Sequence, residues 1–193
     1  MTMNIARSEL ILGGQKSGKS RRAELLARTW LDSSRWHRAI LIATARPWDE
    51  EMRQRIVRHQ TDRAERVPGM TTVEEPLALA EAIGKASTPD TLVVVDCLTL
   101  WLTNLLMPAS ADVNRPAAPL QSAKTGHFLM TIAHAHGPMI LVGNEIGLGV
   151  TPMGREVRAF VDALGRLNQD VAGACQRVTL MAAGLPLMLK DTL

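Results

Sequence analysis

The segment "ELILGGQKSGKSRRAELLARTW", residues 9–30, constrains the fold more than any other part of the chain. It opens as a short apolar strand and passes through a loop with glycine at 13, 14 and 18. It then carries Ala23, Leu26, Ala27 and Trp30 at the three- and four-residue spacing of one helix face. Gly13, Gly18, Lys19 and Ser20 fill the fixed positions of the pattern Gly, any four residues, Gly, Lys, Ser or Thr. Glycines let successive backbone N–H groups turn inward, and a helix start adds partial positive charge. The loop through Gly13, Gly14, Gln15, Lys16, Ser17, Gly18, Lys19 and Ser20 is therefore expected to cradle phosphates. Lys19 would reach the β- and γ-phosphates as a catalytic cation, and the Ser20 hydroxyl would ligate Mg²⁺. The plain alternative is a glycine turn capped by a basic helix; the strand, loop and helix order speaks against it.

The same alternation continues. Strand candidates "RAILIATAR", "MTTVEE", "TLVVVDC" and "PMILVGNE" are separated by helical stretches, with Met52 and Ile56 marking the buried side of "DEEMRQRIVRHQTDRA" and Pro76 starting the helix "PLALAEAIGKA". In "TLVVVDC" four consecutive apolar residues precede the acid, as in a central parallel strand covered on both faces. Residues 107–119, "MPASADVNRPAAP", read as a surface linker, followed by a helix from Leu120. The pattern predicts an α/β, P-loop nucleotide-binding fold: a mostly parallel central sheet with helices on both faces, in a single domain over residues 1–193.

In such sheets ligands collect beyond the carboxyl ends of the strands. That rule gathers the glycine loop with Thr44, Ala45, Arg46, Glu74, Asp96, Asn144 and Glu145. Asp96, ending "LVVVD", either holds the metal or its water or caps the next helix. Glu145 either faces a ligand above the sheet or serves as a turn acid.

Several classes of function fit poorly. The chain has 2 Cys and no CxxC, which argues against a disulfide framework or zinc site, and Cys97 reads as a small buried residue. A net charge of +3 with scattered Arg, 3% aromatics and no Tyr leaves few stacking platforms, so no nucleic-acid partner is expected. The N-terminus lacks a signal-peptide core and no stretch approaches a membrane span, which makes the cytoplasm the default location.

The runs "GGQKSGKSRRAE", "DEEMRQRIVRHQ", "TTVEEPL", "VVVDCLTLWLTNLL", "GNEIGLGVTP", "GRLNQDVA" and "AGLPLMLK" together resemble the successive signatures of the bifunctional adenosylcobinamide kinase/adenosylcobinamide-phosphate guanylyltransferase family. The resemblance implies a Mg²⁺-dependent enzyme that uses ATP or GTP to phosphorylate the aminopropanol hydroxyl of adenosylcobinamide. It would then transfer GMP from GTP to that phosphate during nucleotide-loop assembly of cobalamin. It also implies a catalytic, covalently guanylylated histidine at His59, with Gln60, Thr61, Asp62 and Arg63 beside the nucleotide. Arg55 and Arg63 stand four residues either side of His59, a spacing that predicts one cationic stripe disfavouring imidazolium and drawing in a triphosphate. The partners implied are a small-molecule corrinoid and nucleotides. A homo-oligomer is implied as well, a trimer with clefts between subunits being one arrangement. The competing readings are a P-loop kinase of another small alcohol, with His59 incidental, and a nucleic-acid-dependent ATPase.

Overall fold

The computed structural model describes residues 4–107 and 117–192, without the side chains of Arg55 and residues 117–121. The elements alternate: β1 Ser8–Gly13, α1 Lys19–Ser33, β2 Arg38–Ala43, α2 Glu50–Arg66, β3 Met70–Glu74, α3 Leu79–Ala86 and β4 Thr91–Asp96. After them come α4 Leu98–Leu106, α5 Ala117–His134, β5 Met139–Val142, α6 Arg155–Ala174, β6 Arg177–Ala182 and β7 Leu185–Asp191. The strands form one seven-stranded sheet in the order β3-β2-β4-β5-β1-β6-β7. All neighbours are parallel except β6 and β7, an antiparallel pair that closes one edge. The expected α/β architecture is thus observed.

Alternation within the strands divides the core in two. Val93 and Val95 of β4 face the layer that holds Trp101, Phe128 and Leu164, while Leu92 and Val94 face Leu26 and Ala27 of α1. Apolar burial on both faces is what the run "LVVV" requires, and it fixes β4 as an interior strand. Glu9 on β1 is a buried charge, 1% exposed; it is met by Arg22 at 3.0 Å, Arg177 at 3.7 Å and the Thr179 hydroxyl at 2.8 Å, which satisfies its carboxylate.

Two boundaries differ from expectation. Helix α3 begins at Leu79 and not at Pro76, because Glu75 Oε1 accepts the N–H groups of Leu77 and Ala78 and holds the chain in a turn first. Helix α5 already includes residues 117–119, assigned above to the linker; residues 108–116 of that linker lie outside the described residues. Among the described residues no helix is long and apolar enough to cross a membrane.

Candidate active site

Because β1 to β6 are parallel, their carboxyl ends share one edge of the sheet, and β5 lies between β1 and β4. Gly13, Asp96 and the loop after Val142 are therefore neighbours, as the strand-end rule predicts. The glycine loop leaves β1 and enters α1 through Gly18, whose φ of 100° is the left-handed conformation that glycine adopts without penalty. A Cβ at Gly13 would lie 2.5 Å from the Met181 carbonyl oxygen, and one at Gly18 would lie 3.2 Å from Gly184 Cα. The β6–β7 turn itself grips the loop: the Gly184 N–H donates to the Ser17 carbonyl at 3.0 Å.

Lys19 is buried, and its Nζ donates to the Gly14 carbonyl at 2.6 Å, folding the ammonium back over the loop. Burial holds its pKa below the ordinary lysine value, with Cys97 and Asp96 pulling the other way. Asp96 is thus electrostatically in touch with the cradle. It does not cap α4, whose N-cap is Cys97 with no side-chain cap bond, so the carboxylate is not committed to the helix. Cys97 is the buried residue expected: burial pushes its thiol up to about 12, which leaves it unreactive at neutral pH.

The end of β2 is tied to this assembly by Thr44. Its hydroxyl donates to the Cys97 carbonyl at 2.7 Å and accepts the Cys97 N–H at 2.9 Å, while its carbonyl accepts from Asn104 Nδ2 at 2.8 Å. Thr44 is fully buried, whereas Ala45 and Arg46, the other two candidates at this strand end, are half-buried. On the β5 side, Asn144 is clamped. Its N–H donates to Thr99 Oγ1 at 2.8 Å, and its carbonyl accepts from buried Asn168 Nδ2 at 3.1 Å. Sequence reasoning missed Thr99, Asn104, Asn168 and Gly184 as supports. For Asn168 a signal existed: it stands with Leu164, Leu167 and Val171 at core spacing on α6.

Residues 9–189 match the sequence family described as "Cobinamide kinase / cobinamide phosphate guanyltransferase", CobU. The chain belongs to this family. It is 45% identical over 186 residues to the Pseudomonas aeruginosa "Bifunctional adenosylcobalamin biosynthesis protein CobP", a match covering 94% of this chain and 96% of that protein. It is 34% identical over 187 residues to the Escherichia coli K12 "Bifunctional adenosylcobalamin biosynthesis protein CobU", covering 94% and 98%. Among solved structures, the flagellar accessory protein FlaH from Methanocaldococcus jannaschii superposes with a TM-score of 0.51 at 12% identity, over 97% of this chain and 80% of that one. That likeness concerns the fold alone.

The remaining candidates of this CobU-family chain lie elsewhere, on α2 and β3. His59 is exposed, and Ile56, expected to be buried, is only half-buried. Gln60 Nε2 donates to Glu74 Oε1 at 3.3 Å, Thr61 bonds back to the Val57 carbonyl, and Asp62 pairs with Arg66 at 3.2 Å. The single cationic stripe is not what forms. Arg63 turns inward, 8% exposed, with Nη1 donating to Thr72 Oγ1 at 3.4 Å, whereas His59 one turn earlier faces out. The Arg63 side chain is long enough to turn toward β3, and i, i+4 spacing alone does not reveal that direction. Arg63 Nε has no hydrogen-bond partner, and the guanidinium makes no ion pair among the described residues. The Arg55 side chain lies outside the described residues. With strands about 4.8 Å apart, β3 lies about 19 Å across the sheet from β1, so the cradle and the α2–β3 group are two separate places.

Proposed function

We propose that this protein phosphorylates the aminopropanol hydroxyl of adenosylcobinamide with ATP or GTP, then transfers GMP from GTP through His59 to that phosphate. The products of the second step are adenosylcobinamide-GDP and pyrophosphate. The observation that carries the reading is the family match across residues 9–189. The cradle of residues 13–20 binds the triphosphate, with Lys19 neutralising charge that builds up during transfer. Among the described residues no group of three or more His, Cys, Asp or Glu is arranged to hold a metal alone. Uncommitted Asp96 and Ser20 at the loop's end suit Mg²⁺, which takes few protein ligands and completes its shell with phosphate oxygens and water. The metal, when bound, spreads the charge of the transferring phosphoryl group.

His59 is the exposed nucleophile, and Arg63, a buried cation with no carboxylate partner among the described residues, supplies positive charge for the nucleotide at that second place, which Gln60, Thr61, Asp62 and Glu74 also line. Both steps belong to one domain, and substrates such as ATP and GTP place the enzyme in the cytoplasm. The chain self-associates: β7 is an edge strand with Leu185, Leu187, Met188 and Leu189 all exposed, a surface that invites a second copy. The decisive experiment is incubation with α-labelled GTP and Mg²⁺ followed by denaturing electrophoresis. A covalently labelled band that is lost in mild acid and persists in alkali, as a phosphoramidate does, is expected. Phosphorylation of a different alcohol with no labelled band would replace the reading with that of a simple P-loop kinase.

A further inference from the structure

Glu145 has no part in the reaction proposed so far, yet of the strand-end acids it is the one whose backbone bonds directly to Gly13 of the cradle. Strand β5 stands between β1 and β4, so its loop opens between the cradle and Asp96. Counting strands at about 4.8 Å each, Glu145 follows a strand about 5 Å from β1, Asp96 ends one about 10 Å away, and Glu74 ends one about 19 Å away. A group that receives the proton of an acceptor alcohol must stand within hydrogen-bond reach of an oxygen aligned with the γ-phosphate. Glu74 is too distant, and Asp96 is the residue that would hold Mg²⁺ in the reading above.

Glu145 is also anchored to the cradle. Its N–H donates to the Gly13 carbonyl at 3.0 Å, and Asn144 beside it is held by Thr99 from α4 and Asn168 from α6. Its Oε1 accepts the Gly147 N–H at 2.6 Å, which orients the carboxylate and leaves Oε2 without a bond from the described residues. The turn-acid role is thus real and occupies one oxygen of two. The same loop then exposes Ile146, Leu148, Val150 and Met153, apolar surface available to a large ring system.

We propose that Glu145 is the catalytic base of the kinase step; this rests on the kinase reading above. Glu145 Oε2 takes the hydroxyl proton of the aminopropanol group as the alcohol oxygen bonds to the γ-phosphorus. The bond from that phosphorus to the β–γ bridging oxygen breaks, its electron pair leaving with the nucleoside diphosphate. The proton passes from Glu145 to water.

The test is steady-state phosphorylation of adenosylcobinamide by the unsubstituted protein, Glu145→Gln and Glu145→Asp at saturating Mg²⁺. Gln keeps an acceptor for the Gly147 N–H and removes only the base. Its kcat is expected to fall about 10²- to 10³-fold with the nucleotide KM within about twofold, and Asp is expected to recover about tenfold of that loss. A Gln variant within about threefold of the unsubstituted kcat, a nucleotide KM that rises in step with the loss, or an Asp variant no faster than Gln overturns the assignment. If the unsubstituted protein leaves adenosylcobinamide unphosphorylated, the kinase reading falls and Glu145 with it. If that protein is active and the Gln variant keeps pace, Glu145 alone is misassigned.

Discussion

The glycine loop and helix α2 are built on opposite plans. The loop is surrounded: Met181 and Gly184 press on it from the β6–β7 hairpin, Glu145 bonds to Gly13, and α1 continues from it into a core containing Leu26 and Ala27. Helix α2 packs beside α1, reaches β3 through Gln60 and Arg63, and shows mostly polar side chains. Its ties are bonds such as Arg66 to Glu24 at 3.0 Å, Arg28 Nη1 to the Arg66 carbonyl, and Gln60 to Glu74, with Val67 just past its end as the buried apolar anchor. Charge pairs with an exposed partner contribute about 1 kcal/mol or less each, whereas burial of one Leu contributes about 2 kcal/mol. A site whose geometry must be ready before the substrate arrives sits in the packed region. His59, proposed above to accept and then release a nucleotide, sits on the loosely held one.

The largest effect should come from Lys19→Ala. Both reactions need the triphosphate held and neutralised, so each rate should fall about 10³-fold in a protein that remains folded. Unchanged kinase and guanylyl transfer would remove the cradle from the chemistry. His59→Asn should separate the two regions: no covalent label from α-labelled GTP and no adenosylcobinamide-GDP, with phosphorylation of adenosylcobinamide surviving. Labelling at the normal rate in this variant would place the nucleophile elsewhere. Asp96→Asn should be milder, raising the Mg²⁺ concentration for half-maximal kinase rate about 10-fold. An unaltered Mg²⁺ titration would mean that the carboxylate serves the strand end and not the metal.

The sequence was most legible where one physical cause dominates. Residues 9–30 admit one arrangement, because an apolar strand, a loop that needs glycine at 13 and 18, and an amphipathic helix leave no other order of packing. The run Leu92–Val95 likewise announced burial on both faces. Helix α2 was harder. With few apolar residues, its spacing did not say which side meets the sheet, and Arg63 went inward while His59 stayed out. The supports of Asn144 were invisible for a different reason. Thr99 on α4 and Asn168 on α6 reach Asn144 across 45 and 24 residues of sequence, so no local pattern joins them.

The position of β1 has a consequence for the order of assembly. It is synthesised first, yet its neighbours are β5 and β6, so Ser8 pairs opposite Met139 and Glu9 opposite Arg177. The contact from Thr179 to Glu9 spans 170 residues, and the Gly184 bond to Ser17 closes a comparable loop. Contacts of such separation form late, since the entropy of closing the intervening chain must be overcome before any of them contributes. A nascent chain therefore carries its phosphate-binding motif from the outset but has no finished cradle until the last hairpin has emerged and docked. Nucleotide affinity is therefore expected to appear only once the sheet is complete, from β1 to β7.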